Sequence, residues 1–235
     1  MTHLLYCIYG RSAAPPPQEC SGVFAIEAGE LVAAASLWPD PPPPVDLGTL
    51  RTYEKIVAAF HASRTIIPLR YGCVVGDRSV VLDLLAKRQA DYQRLLEELQ
   101  GRVEMGLRLL GDYSPEAPRA SGAGSRYLEC ARRRQTGLTA AEEYWTDRLC
   151  GLLSGLCARQ KKEARSSCGA RLLSLYFLIA RGEVDRFREL VRQLTLPPDM
   201  KLLVSGPWPP YNFADDTGEP KPSDRDSGPA LCAVV

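Results

Sequence analysis

The apolar positions of the first hundred residues switch repeatedly between a period of two and a period near three and a half, which predicts an α+β chain. Residues 3–9 form a short apolar run, and 22–27 and 31–37 form two more, joined across Ala28-Gly29-Glu30, where Gly29 supplies the freedom of a tight hairpin. The stretch Trp38-Pro39-Asp40-Pro41-Pro42-Pro43-Pro44 continues neither a ladder nor a helix and reads as a stiff spacer. Asp46 then suits an N-cap, and Leu47, Leu50, Tyr53, Val57 and Phe60 recur at helical steps with one face toward a sheet. Residues 65–75 read as a strand in which Pro68 marks an edge or a bulge. From Asp77 a second helix runs to about Leu99, burying Val81, Leu84, Leu85, Tyr92, Leu95, Leu96 and Leu99. The strand at 102–110 sets Val103, Met105, Leu107 and Leu109 against Arg102, Glu104 and Arg108. The order βββαβαβ predicts an N-terminal domain over 1–111, with helices on one face of a mixed or antiparallel sheet and a ferredoxin-like variant as the nearest common form.

Residues 112–124, rich in Ser, Pro, Ala and Gly, read as a linker to a smaller helical/β domain over 125–213. Within it Tyr127 to Arg134 looks helical. Thr139 with Glu142 makes a capping box that opens a long helix carrying Leu138, Ala141, Trp145, Leu149, Leu152 and Leu156. Leu172 to Ala180 is apolar on both faces and reads as a buried strand, 183–194 as a brief helix and Lys201 to Ser205 as the last strand. Residues 214–235 combine acidic residues with Gly, Pro and Ser and read as a disordered acidic tail.

Composition narrows the functional classes. The 29 Lys and Arg nearly cancel the 28 Asp and Glu, which argues against a nucleic-acid-coating protein. The charge is uneven, however: Arg119 to Arg171 holds eleven basic and five acidic residues, with clusters at Arg132-Arg133-Arg134 and Arg159-Lys161-Lys162, expected on a solvated helical surface. No aromatic-interleaved motif accompanies that charge, so no nucleic-acid partner is expected. Nor is a membrane partner: the longest apolar run, Leu172 to Ala180, is far short of the roughly 20 residues of a spanning helix. The start has no signal-peptide pattern, and the expected location is the cytoplasm. Eight cysteines without Cys-x-x-Cys spacing are expected to stay reduced; Cys150 and Cys157, seven apart, would share a helix face, and two histidines give no metal set.

Enzymatic signals are absent from the sequence: it has no Gly-rich phosphate loop, nucleophile elbow or His-Glu-x-x-His pair, and no catalytic residue or cofactor is expected. His61 reads as an edge-of-core residue. Gly206-Pro207-Trp208-Pro209-Pro210-Tyr211-Asn212-Phe213 stands apart, because three prolines stiffen a segment whose three aromatics each bury roughly 150–250 Å². It reads as a plug over a sheet end or as a preordered docking surface.

At these residues the sequence resembles the GvpL/GvpF family of gas vesicle accessory proteins. The likeness rests on Leu5-Tyr6-Cys7-Ile8-Tyr9-Gly10, Ile67-Pro68-Leu69-Arg70-Tyr71-Gly72, Gly101-Arg102-Val103-Glu104-Met105-Gly106, Gly122 to Leu128, Phe177-Leu178-Ile179 and the Gly206 to Phe213 block, in the family's order over about residues 3–213. The resemblance implies a two-domain α+β protein that helps build gas vesicles as a minor shell component or assembly factor, without catalysis. Its implied partners are the major gas vesicle shell protein and other gas vesicle accessory proteins, and its place the cytoplasm and the gas vesicle. A small shell subunit with an apolar side aggregates unless its nuclei are held during assembly. The expected contact surface comprises a sheet edge around Pro68, Arg70 and Tyr71 and the aromatic surface of Trp208, Tyr211 and Phe213. The alternative is a small-molecule-binding regulatory module on a ferredoxin-like domain, whose basic face takes an anionic ligand and whose melting temperature rises with that ligand.

Overall fold

Gly29, at φ 57°, turns the chain between two antiparallel strands, β2 (Phe24–Ala28) and β3 (Leu31–Leu37), as the hairpin signal requires. The structure, a computed structural model, describes residues 2–11, 17, 20–39, 46–111, 138–167, 170–198 and 200–214. The linker at 112–124, the helix expected at 127–134 and nearly all of the expected tail lie outside these residues, as does the Arg132-Arg133-Arg134 cluster. Contacts divide the chain into one unit of Met1–Arg102 with Trp208–Val235, and a second of Val103–Pro207.

The first unit is built on β1 (His3–Gly10), which pairs antiparallel with β3 on one side and with two short strands, β4 (Ile67–Pro68) and β5 (Val74–Val75), on the other. The path through the sheet is β2-β3-β1-β4. Its central place explains why β1 is buried along nearly its whole length. Three helices pack on the sheet: α1 (Leu47–Ser63) against β1, α2 (Arg78–Lys87) against β2 and β3, and α3 (Gln89–Leu99) against β1 and β4. The Asp46 and Asp77 carboxylates accept from the backbone N–H of Thr49 and Ser79 and so cap α1 and α2. Tyr53, Val57 and Phe60 of α1 meet Leu4, Tyr6, Cys7 and Tyr9 of β1 in one core cluster.

The second unit holds a four-stranded sheet in the order β7-β8-β6-β9, where β6 is Arg102–Gly111, β7 Cys157–Ser167, β8 Ala170–Ala180 and β9 Met200–Trp208. β7 and β8 form a long antiparallel hairpin. The capping box forms: the Thr139 hydroxyl accepts from the Glu142 N–H, the Glu142 carboxylate accepts from the Thr139 N–H, and α4 (Ala140–Leu153) follows. Its Trp145, Leu149 and Leu153, with Phe187 and Val191 of α5 (Val184–Arg192), cover the alternate residues Val103, Met105, Leu107 and Leu109 of β6 and Leu173, Leu175, Phe177 and Ile179 of β8.

Four elements differ from the sequence expectation. The strand at 102–110 pairs in the second sheet, with β8 and β9, and not beside the first three strands. The strand expected over 65–75 is two short pairings separated by a turn in which Gly72 takes φ 90°. The single helix from Asp77 breaks at Arg88, whose ψ of 20° leaves the helical region while its guanidinium lies 5.1 Å from the Tyr92 ring centroid. Finally, α4 ends at Leu153 and Cys157 opens β7. The charged run Arg159-Lys161-Lys162 therefore lies on a strand rather than a helix, and Cys150 and Cys157 share no helix face.

Candidate docking surface

Tyrosines from four separate segments of the first unit's sequence meet in one cluster. Tyr71, from the turn after β4, sets its ring edge-on to Tyr53 of α1 at 5.3 Å and to Trp38 at 6.1 Å. Tyr53 in turn stacks on Tyr6 of β1 at 4.9 Å. Tyr211, in the short turn of helix Tyr211–Phe213, packs half-buried against the same core. The Tyr53 hydroxyl is 2.9 Å from the carbonyls of both Leu5 and Leu69, so a single proton ties β1 to the segment after β4. Burial, reinforced by Tyr211 and other nearby groups, pushes the Tyr53 hydroxyl well above its ordinary range, which keeps it a donor. Burial raises Tyr6 as well, partly offset by its hydrogen bond with the Ser36 hydroxyl at 3.1 Å.

The expected site residues separate by exposure. Pro68 is buried in β4 opposite Cys7, so its ring is not offered to a partner; Arg70, two residues on, is exposed, and Tyr71 is half-buried with its hydroxyl shielded and without a hydrogen bond. Phe213 is fully buried and acts as an anchor. Trp208, the last residue of β9, is 51% exposed although Pro209 and Pro210 after it are buried. The Gly206 to Phe213 block is thus a plug at its far end and an open aromatic surface at its near end.

Sequence reasoning did not mark Tyr6, Trp38 or Tyr53 as part of a site. They line, with Tyr71, Ser36 and Thr52, an open cleft of about 370 Å³ beside α1. The signal available was Trp38 directly before the proline run. In the second unit an open cleft of about 470 Å³ lies between α4 and α5, lined by Arg148, Leu152, Leu190, Gln193, Leu194 and Thr195. Among the described residues no three His, Cys, Asp or Glu side chains gather as a metal site would require, and no helix is long and apolar enough to cross a membrane. What the arrangement offers is stacking surface and strand edges.

Comparison with known proteins places this fold. The family model described as "Gas vesicle synthesis protein GvpL/GvpF" matches residues 2–215. Gas vesicle protein L of Streptomyces sp. (strain CB03234) is 29% identical over 184 residues, covering 70% of this chain and 68% of that protein. Gas vesicle protein F of the same organism is 26% identical over 219 residues, 85% of this chain and 90% of its own length. The crystal structure of GvpF from Anabaena sp. PCC7120 superposes with a TM-score of 0.70 at 19% identity over 91% of this chain and 95% of that one, a likeness of fold.

Proposed function

The chain belongs to the gas vesicle synthesis protein GvpL/GvpF family, and from that premise we propose that it works in gas vesicle assembly by binding the major shell protein or other accessory proteins. The observation that carries this reading is Trp208, a large aromatic left 51% exposed between a strand and two buried prolines that hold it in place. Interface anchors are commonly of this kind: rigid, aromatic and costly to leave in water. Arg70, exposed beside the aromatic cluster of Tyr71, and the half-buried Tyr211 support a second part of the same contact. A shell subunit with an apolar side gains from such a holder while its nuclei grow. The same reading takes the first unit as a variant of the ferredoxin-like arrangement, with strands ordered β2-β3-β1-β4 and three helices packed on them. It assigns the protein no catalytic step.

Pull-down of the major shell protein tests the surface. The wild-type chain is expected to capture it, and Trp208→Ala to lose most of that capture while keeping its melting temperature. Tyr211→Ala, which also loosens the core, is read only if the variant stays folded. Undiminished capture by folded Trp208→Ala removes this surface from the mechanism.

A further inference from the structure

Exposed sheet edges invite pairing with another chain, and proteins usually blunt them with short strands, charges or proline. Three edges here are blunted. β4 is two residues long and contains Pro68. β2 is five residues long and carries Glu27, paired with Arg11 at 2.9 Å. β7 is long but carries Arg159, Lys161, Lys162 and Glu163. The fourth edge, β9, is nine residues long, and its one charge is Lys201. It leaves Leu203 52% and Val204 43% exposed, and among the described residues no strand pairs with its outer side. Its end is closed in another way: Pro207 has no N–H, and the Gly206 carbonyl already accepts from the Arg188 guanidinium at 3.0 Å. The open window is therefore Lys201 to Ser205.

We propose that this window is a self-recognition edge, pairing antiparallel with the same window of a second copy about a two-fold axis at Leu203. That register sets Leu203 against its own copy, Leu202 against Val204 of the second copy, and Lys201 against Ser205, so apolar meets apolar and no like charges oppose. The same operation on β7, centred on Lys161, would set Lys161 on Lys161. Charge thus counts against that register of β7, while the β9 register opposes no like charges. A window this short falls below the roughly 800 Å² per partner of a standard interface, so the association is reversible and rises with concentration.

Sedimentation velocity on the full chain, kept reduced, tests the proposal. The wild type is expected to show a dimer fraction that grows with concentration, and Leu203→Lys, which sets two ammonium groups on the axis, to weaken association at least tenfold at an unchanged melting temperature. If that variant folds poorly, hydrogen exchange on the wild type decides instead: amides at 201–205 are expected to gain protection as concentration rises. A wild type that stays monomeric at every soluble concentration overturns the proposal. So does a dimer indifferent to folded Leu203→Lys, or one protected elsewhere. None of these readouts depends on capture of the shell protein.

Discussion

Gly206 takes φ 103°, a region closed to most side chains, and a Cβ there would lie 2.6 Å from the Glu104 carbonyl oxygen and 3.0 Å from the Met105 sulfur. Neither the carbonyl nor the strand bearing it can retreat cheaply. Gly206→Ala is expected to cost about 2 kcal/mol or more of stability, read by urea unfolding; a loss within the scatter of ordinary surface variants would show that the backbone relaxes there. The sequence marked this residue as part of an unusual block without saying why glycine was needed, because the close approach comes from a strand about a hundred positions earlier. Other residues were legible only as far as local periodicity reaches. Tyr53 fell on the buried face of its helix, but its partners Tyr6 and Tyr71 come from separate elements. Leu47 shared that period yet is 72% exposed, since the first helical position precedes the turns that meet the sheet.

At the scale of elements, capping chemistry was the most readable signal, because it is written within four residues. Hydrogen bonds from the Thr49 N–H and hydroxyl hold the Asp46 carboxyl below the usual carboxylate range, and the Ser79 hydroxyl and neighbouring amides do the same for Asp77. A carboxyl depressed by folding stabilises fully above its unfolded pKa, and that contribution is lost as pH falls through the folded value. Replacing both by Asn, which caps without titrating, is expected to flatten the fall in melting temperature between about pH 5 and about pH 2; parallel curves for wild type and variant would rule the caps out as its source. Less readable were the elements whose function hides their pattern. β7 has polar residues at nearly every position, as a guarded edge requires, and so lacks the alternation by which strands are recognised. The break at Arg88 has no glycine or proline to announce it.

For the molecule as a whole, the apolar pattern gave the mixture of helices and strands, while the partition into sheets did not follow from it. β6 directly follows the first unit's last helix and was read with it, since neighbours in sequence usually pair. Its partners in the structure, β8 and β9, arrive tens of residues later, and nothing within β6 records them. The second unit's described core draws only on residues within 103–202. A fragment spanning 103–207 is accordingly expected to fold alone and melt cooperatively by circular dichroism; a broad, non-cooperative melt would mean that its core is not self-sufficient.

The close approach of Gly206 to Glu104 also means that the chain enters and leaves the second unit through one doorway. Such a unit is a cassette: cutting it out leaves two loose ends a short loop can join, and a different module can be spliced into the same gap without rethreading the remainder. Length changes and exchanges accumulated over evolution should therefore concentrate between these two points.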